Sequence, residues 1–285
     1  MTWLSKWRSK ETGQFAALET REPIASLLSD TGCHRRQNED SARIVRAGTG
    51  ACGDRGLLLV VADGMGGHEA GEVASQAAVE MIEKEYREAK GTPGEALETA
   101  FRRAHNEILR LASADATLSG MGTTCTALVI VGGQAWAAHV GDSRLYLVRD
   151  DRIYQLSEDH TQCMELVRKG LMTLQEAQHH DDRNVLARAM GTRRALAIMS
   201  FKEPMPVKPG DAFLLCSDGL HDLVTDAEIR DVVRDSEPEP ACRKLVDMAR
   251  ERGGYDNVTV AIAAIPGSCH ELTVVKGTPQ SEAHS

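Results

Sequence analysis

The chain has 285 residues, 42 acidic against 33 basic, for a net charge of −9 at neutral pH. That length allows one sizeable core of roughly 200–250 residues with tails, and the acidic balance argues against nucleic acid or an anionic membrane as partner. Seven scattered cysteines without a C-x-x-C pair fit a reducing compartment better than a disulfide framework or a zinc site. No apolar run approaches the roughly 18 residues of a membrane span and no secretory leader is visible, so the chain reads as soluble and cytoplasmic.

Residues 1–21 carry Trp3, Leu4 and Trp7 among Lys6, Arg8 and Lys10. They read as a flexible N-terminal extension, with a small surface anchor as the alternative. Residues 22–30 form a first strand running into the turn Asp30-Thr-Gly32. A charged loop from Cys33 to Asp40 precedes a second strand over Ser41–Arg46. The apolar run from Leu57 then reads as a short buried strand that delivers Asp63 to its tip, where Gly64, Gly66 and Gly67 turn the chain. An aspartate held there, beside bare backbone carbonyls, suits a hard cation. A dinucleotide-type phosphate loop fits less well, because Glu69 stands where a third glycine is wanted and a carboxylate would meet the phosphate. A plain acidic turn stays open as the other alternative.

Apolar residues at three- and four-residue spacing predict helices over 69–89 and around Leu97–Leu111, separated by Gly91-Thr-Pro-Gly94. Strands follow at Thr123–Val131 and Gln134–Val140, joined by Gly132-Gly133. A second pair, Arg144–Arg149 and Arg152–Gln155, is joined by Asp150-Asp151. Hairpins in series mean antiparallel pairing and exclude a doubly wound parallel sheet. Residues 157–191 are polar, with short helices near 161–169 and 173–180, and read as a flap outside the sheet. Leu196–Glu203 and Asp211–Cys216 return to strand, helices follow at 226–235 and 238–252, and Val258–Ile265 is a last strand before a polar tail over 266–285. Helix pairs between groups of antiparallel strands imply an α+β fold: a four-layer α-β-β-α sandwich of two antiparallel sheets flanked by helix pairs, with the flap appended.

The arrangement that places Asp63 recurs. Asp142 follows a strand and Gly141, Asp218 ends the apolar run Leu214-Leu-Cys-Ser and precedes Gly219, and Asp256 stands just before the last strand. Each alone reads as a turn aspartate. Four together at strand ends are costly unless cations neutralise them. All these donors are oxygens, which select Mg²⁺ or Mn²⁺ over zinc or copper.

Five ordered stretches, Arg35-Arg-Gln-Asn-Glu-Asp40, Asp63-Gly-Met-Gly-Gly-His68, Gly141-Asp-Ser-Arg144, Ser217-Asp-Gly219 and Gly254-Tyr-Asp-Asn257, together resemble the motifs of the metal-dependent serine/threonine phosphatases, the protein phosphatase 2C family, in its compact bacterial form. The resemblance covers about residues 24–265 and makes 22–265 a phosphatase domain. It implies that Asp63 bridges two Mn²⁺ or Mg²⁺ ions and that the Gly64 carbonyl ligates one. Asp218 and Asp256 would hold the other ion, with Glu39 and Asp40 on the Gly64 side. Asp142 would share a third, looser ion with Asp218, and Arg35 would grip the substrate phosphate. Water activated by the two ions would attack phosphorus in line, with no phosphoenzyme, leaving Cys216 as a buried strand residue. Where the family's animal members carry a histidine after the central Asp-Gly, this chain has Met65. Metal-held water is therefore expected to protonate the leaving oxygen, ahead of His68 or His160. The implied substrates are phosphorylated proteins and the implied counterpart is a cognate Ser/Thr kinase, with a monomer as default. A catalytically silent phosphoprotein-binding regulator and an anti-sigma-factor-pathway phosphatase of related fold stay open as alternatives.

Overall fold

The structure, a computed structural model, describes residues 22–47, 55–66 and 70–267. The expected N-terminal extension, His68 and nearly all of the tail lie outside the described residues. In chain order come β1 (Ile24–Asp30), β2 (Asp40–Ala47), β3 (Gly56–Met65), α1 (Ala70–Glu88), α2 (Pro93–Ala114), β4 (Gly122–Thr123), β5 (Cys125–Val131), β6 (Gln134–Val140), β7 (Arg144–Arg149) and β8 (Arg152–Gln155). Residues 157–191 contribute α3 (Gln162–Arg168) and α4 (Leu174–His179). They are followed by β9 (Met199–Ser200), β10 (Met205–Pro206), β11 (Ala212–Cys216), α5 (Asp218–His221), α6 (Asp226–Asp235), α7 (Pro238–Glu251) and β12 (Val258–Ala264).

Every strand pair is antiparallel. One sheet runs β1-β12-β11-β7-β8; the other runs β10-β6-β5-β3-β2, with β4 added on β3 and β9 on β6. The period-two alternation of the strands decides how they stack. In β3, Leu57, Leu59 and Val61 pack against Leu145, Leu147, Phe213, Leu215, Ala261 and Ala263 of the other sheet. Leu58, Val60 and Ala62 face the opposite way, onto Ala74, Ala78 and Ile82 of α1 and Leu97 and Phe101 of α2. On the far side Tyr146, Leu214, Val260 and Ile262 pack on Ile229 and Val233 of α6 and Leu245 and Ala249 of α7. Three apolar seams between helix pair, sheet, sheet and helix pair make the four-layer sandwich that the element order predicts. Each large side chain fully buried in a seam is worth about 1.5–3 kcal/mol, so the seams fix which face of every strand points inward.

Local chemistry sets the boundaries. Thr92 closes a capping box with Glu95 and Pro93 opens α2, so the stretch read as the end of the first helix is equally the start of the second. Asp150 and Asp151 both adopt positive φ, 49° and 58°, and carry the β7–β8 hairpin. Leu196–Glu203 is not a strand throughout; only Met199–Ser200 pairs, with β6. The run from Thr123 splits at Thr124, because Gly122 and Thr123 pair with the end of β3 while Thr126 onward pairs with its body.

That split corrects the reading of the central motif. β3 does not end at Asp63 but continues through Gly64 and Met65, paired with Thr123 and Gly122. Gly64 is therefore a strand residue. A Cβ there would stand 2.1 Å from the Gly71 carbonyl oxygen and 2.6 Å from that of Glu39, so glycine lets α1 and β2 close onto the strand.

Candidate metal centre

The seam between the sheets is apolar until its last layer. Ala42 and Ile44 of β2 line it, and the period of two puts Asp40 on the same face. By the same count Asp63 follows Leu57, Leu59 and Val61, Ser217 follows Phe213 and Leu215, and Thr259 precedes Ala261 and Ala263. The hydrogen bonds confirm the count: Asp40 Oδ2 accepts from Ser217 Oγ at 2.8 Å and from Thr259 Oγ1 at 2.6 Å, across the two sheets. One end of the sandwich thus exchanges hydrocarbon for carboxylate.

Asp63 is fixed by its backbone. Its N–H donates to Thr124 Oγ1 at 3.0 Å, and its carbonyl accepts from Thr123 Oγ1 at 2.8 Å and Thr124 N–H at 2.9 Å. Thr124 Oγ1 in turn meets Ser143 Oγ at 2.6 Å, which ties Asp63 to the Asp142 turn. Asp218 starts α5. Asp256 and Asn257 form the last turn before β12, and the Asn257 amide fastens that turn to the Arg35 loop by donating to the Thr31 and Gln37 carbonyls at 2.9 and 3.0 Å while its oxygen accepts the Glu39 N–H at 2.8 Å.

The charges of this end oppose one another. Burial, then repulsion from Asp40, Asp218, Asp142 and Asp256, pushes the Asp63 carboxyl well above its ordinary range. Burial raises Asp40 to about 7 despite its two hydroxyl donors, with Asp218 and Asp256 adding to the rise. Burial and Asp218 raise Asp142 to about 7 as well. Asp218 is raised by burial, with His221 working against the rise and Asp256 adding to it. Glu39 is raised by burial, with Arg35 working against it.

These residues fit a divalent cation. Asp218 Oδ1 is buried with no hydrogen-bond partner, an arrangement that costs about 1–3 kcal/mol or more for a charged group unless something positive meets it. The donors are carboxylate and carbonyl oxygens, the set that hard cations take. Among the described residues no three acidic, histidine or cysteine side chains form a ready cage for one ion. Any ion here would draw on few carboxylates together with carbonyl and water oxygens, as Mg²⁺-type sites do.

The structure brings Asp40, Asp63, Asp142, Asp218 and Asp256 into one electrostatic cluster and sets Glu39 and Arg35 at its rim. Arg35 Nη2 donates to Asp256 Oδ2 at 2.7 Å, with the guanidinium half exposed. His160, in contrast, is occupied: its Nδ1 accepts the Gly141 N–H at 3.1 Å and its ring lies 4.9 Å from that of His139. Burial and then His139 push it down to about 3. Cys216 is fully buried in the outer seam, its thiol pushed up by burial, as expected of a strand residue rather than a nucleophile. His221 was not singled out from the sequence. Its side chain is 5% exposed, its Nε2 donates to the Asp142 carbonyl at 3.1 Å, and its Nδ1 lies 3.4 Å from Asp222. Its position one helical turn after Asp218 is the only signal that could have found it.

A sequence profile of the family described as Protein phosphatase 2C matches residues 36–254. The serine/threonine phosphatase stp of Listeria innocua is 34% identical over 84% of this chain and 94% of its own length. The serine/threonine protein phosphatase PstP of Mycobacterium tuberculosis is 37% identical over 83% of this chain, and the match spans 44% of that longer relative. Among solved structures, the catalytic domain of serine threonine protein phosphatase PstP in complex with two manganese ions superposes with a TM-score of 0.72 at 34% identity, over 86% of this chain and 98% of that one.

Proposed function

The chain belongs to the protein phosphatase 2C family and is a serine/threonine protein phosphatase of the bacterial kind, and on that basis we propose that it hydrolyses phosphoserine and phosphothreonine in proteins at the carboxylate end of its sandwich, using two Mn²⁺ or Mg²⁺ ions and opposing a Ser/Thr kinase. The observation that carries this reading is the convergence of Asp40, Asp63, Asp142 and Asp218, two buried and two half-buried carboxyl groups whose pKa values are all raised, first by loss of solvent and then by neighbouring carboxylates. Such a cluster is costly to fold and is accounted for by cations.

Asp63 would help to hold two ions, one together with the Gly64 carbonyl, Glu39 and Asp40, the other together with Asp218 and Asp256. Asp142, with Asp218, would hold a third and weaker one. Divalent ions bound there would supply Lewis acidity, lowering the pKa of water and drawing charge from the phosphoryl group. The chain's own residues do the rest by position. Arg35 would pair with phosphoryl oxygens, since its fork of donors can take two of them; its bond to Asp256 supports this role by anchoring the guanidinium at the rim of the cluster. Ser217, Thr259, Thr123 and Thr124 hold the carboxylates and their backbones so that little reorganisation is needed when substrate arrives. His221 and His160 fix the Gly141-Asp142 turn through its backbone rather than acting on substrate.

The test is release of phosphate from a phosphothreonine peptide, titrated with Mn²⁺ and then with EDTA, for the wild type and Asp218→Asn. Metal-dependent turnover that the variant loses supports the reading. A folded, metal-loaded protein with no turnover on any phosphopeptide or aryl phosphate would leave the carboxylates a binding or structural role.

A further inference from the structure

Beside Arg35 stands a pair of rings that the catalytic reading leaves unused. His34 and Tyr255 stack with centroids 5.3 Å apart and planes inclined by 27°. Single exposed aromatics are common on protein surfaces and need no explanation. This pair differs in how firmly it is held. The Cys33 N–H donates to the Gly254 carbonyl at 2.8 Å, Arg35 pairs with Asp256, and Asn257 bonds to Thr31, Gln37 and Glu39. The two loops that carry the rings are therefore one rigid piece, and the rings flank the residues placed at the phosphate.

The backbone also makes room for Tyr255. Gly253, at φ 122°, lies under its ring, and a Cβ there would come within 2.5 Å of the ring carbons Cε2 and Cζ. The ring is thus packed over glycine on one side and stacked on His34, yet Tyr255 stays 64% exposed. A pair of rings held in place and still exposed to solvent binds at low entropic cost. The charges nearby decide what it would bind. Around these two loops Arg35, Arg250 and Arg252 are paired with Asp256, Asp30 and Glu228, so the nearby charges largely cancel, which leaves an uncharged ring as the fitting occupant.

We propose that His34 and Tyr255 form a stacking subsite for an aromatic side chain next to the phosphorylated residue of the substrate, and so set a sequence preference of this phosphatase. The inference rests on the phosphatase reading above. Its consequence is a preference of about three- to tenfold in kcat/KM, the size of a stacking interaction.

The experiment compares phosphothreonine peptides identical except for Phe, Ala or Arg immediately before or after the phosphothreonine, using the full chain loaded with Mn²⁺. The wild type is expected to favour Phe over Ala by about three- to tenfold on one side. Tyr255→Ala should bring that ratio within about twofold of one, Tyr255→Phe should keep it, and His34→Ala should reduce it by loosening the Tyr255 ring. Melting curves of the variants establish that the clamped loops survive. A Phe-to-Ala ratio near one in the wild type on both sides overturns the inference, as does a ratio that persists in Tyr255→Ala. A preference for Arg that Tyr255→Ala removes would make this a cation subsite and overturn it too. If no peptide at all is turned over, the phosphatase reading itself fails, so the two failures are distinguishable.

Discussion

Asp40 lies directly across the β2–β3 ladder from Asp63, so a buried and a half-buried aspartate face each other at the same register position of neighbouring strands. Like charges directly opposite on a sheet destabilise it, and here both point into the end of an otherwise apolar seam. Replacing one of them by its neutral isostere should therefore separate folding from function. Asp63→Asn is expected to raise the melting temperature of EDTA-treated protein, by about 2–4 °C for each kcal/mol of repulsion relieved. It should also abolish the stabilisation that Mn²⁺ gives the wild type and lower kcat beyond the ~10–100-fold cost of losing an outer partner of a metal site. Differential scanning fluorimetry with and without Mn²⁺, beside phosphopeptide turnover, reads all three. A variant that is less stable without metal would show that Asp63 is a structural hydrogen-bonding group.

The same carboxylates predict how pH acts. Asp40 and Asp142 are pushed up to about 7, against about 4 in an unfolded chain. A carboxyl group whose pKa is higher when folded holds its proton more tightly in the native state. Its contribution favours the fold below the unfolded value and is lost as pH rises through the folded one. Metal-free protein should thus lose stability from these groups between about pH 4 and pH 7. Divalent cations displace the protons and bind the ionised forms. The gain in melting temperature on adding Mn²⁺ should therefore grow steadily from about pH 5.5 to about pH 8, and a constant or shrinking gain would contradict the proposed ligand set.

Asp63 was legible in the sequence because an apolar run and a glycine bracket it, and Asp142, Asp218 and Asp256 because each repeats that arrangement. The three seams followed from element order and strand period. What the sequence could not show were the groups that hold the carboxylates. Ser217 and Thr259 meet Asp40 across separations of 177 and 219 residues, and only strand pairing makes them neighbours. Gly64 was misread for a related reason: a glycine kept for space looks the same, in sequence, as one kept for a turn. The nearly strandless stretch around Met199 was misread because its apolar residues serve the seam and flap base without a ladder partner on most of its length.

His160 separates positioning from proton transfer. Its Nδ1 accepts the Gly141 N–H, and burial beside His139 holds it at about 3, so it is neutral across the working range. His160→Ala should keep turnover within about tenfold and leave the acid limb of the kcat profile where it is. The freed Gly141 N–H should cost about 1–3 kcal/mol of stability. A fall of ~10²-fold in kcat with metal binding intact would instead make His160 a proton donor to the leaving oxygen.

Far from the site, Arg149 of β7 and Asp211 form a buried ion pair, with side chains 5% and 1% exposed and bonds of 2.6 Å from Nε and 2.5 Å from Nη2. Asp211 also accepts the Lys208 N–H at 2.7 Å, and Arg149 reaches the Pro206 carbonyl at 2.9 Å. Removing one partner strands the other charge inside. Asp211→Ala should therefore cost about 3–5 kcal/mol, seen as a lower midpoint in urea. Turnover below the transition should change little, because no group of the carboxylate cluster takes part in this pair.

Arg35 tests the phosphate end of the site. Its bond to Asp256 is short, but the two side chains are 49% and 37% exposed, and an ion pair so open to water contributes at most about 1 kcal/mol to stability. Its value lies in holding a two-pronged donor at the rim of the carboxylate cluster. Arg35→Lys keeps the charge and loses the fork, so it should raise KM for a phosphopeptide while altering kcat less. Arg35→Ala should lower kcat/KM further, by about 10- to 150-fold if one charge-assisted bidentate contact worth roughly 1.5–3 kcal/mol is lost. Neither substitution should reduce the melting temperature of metal-loaded protein by more than a few degrees. Equal kcat/KM for wild type and Arg35→Ala would place the phosphate-binding group elsewhere on the rim.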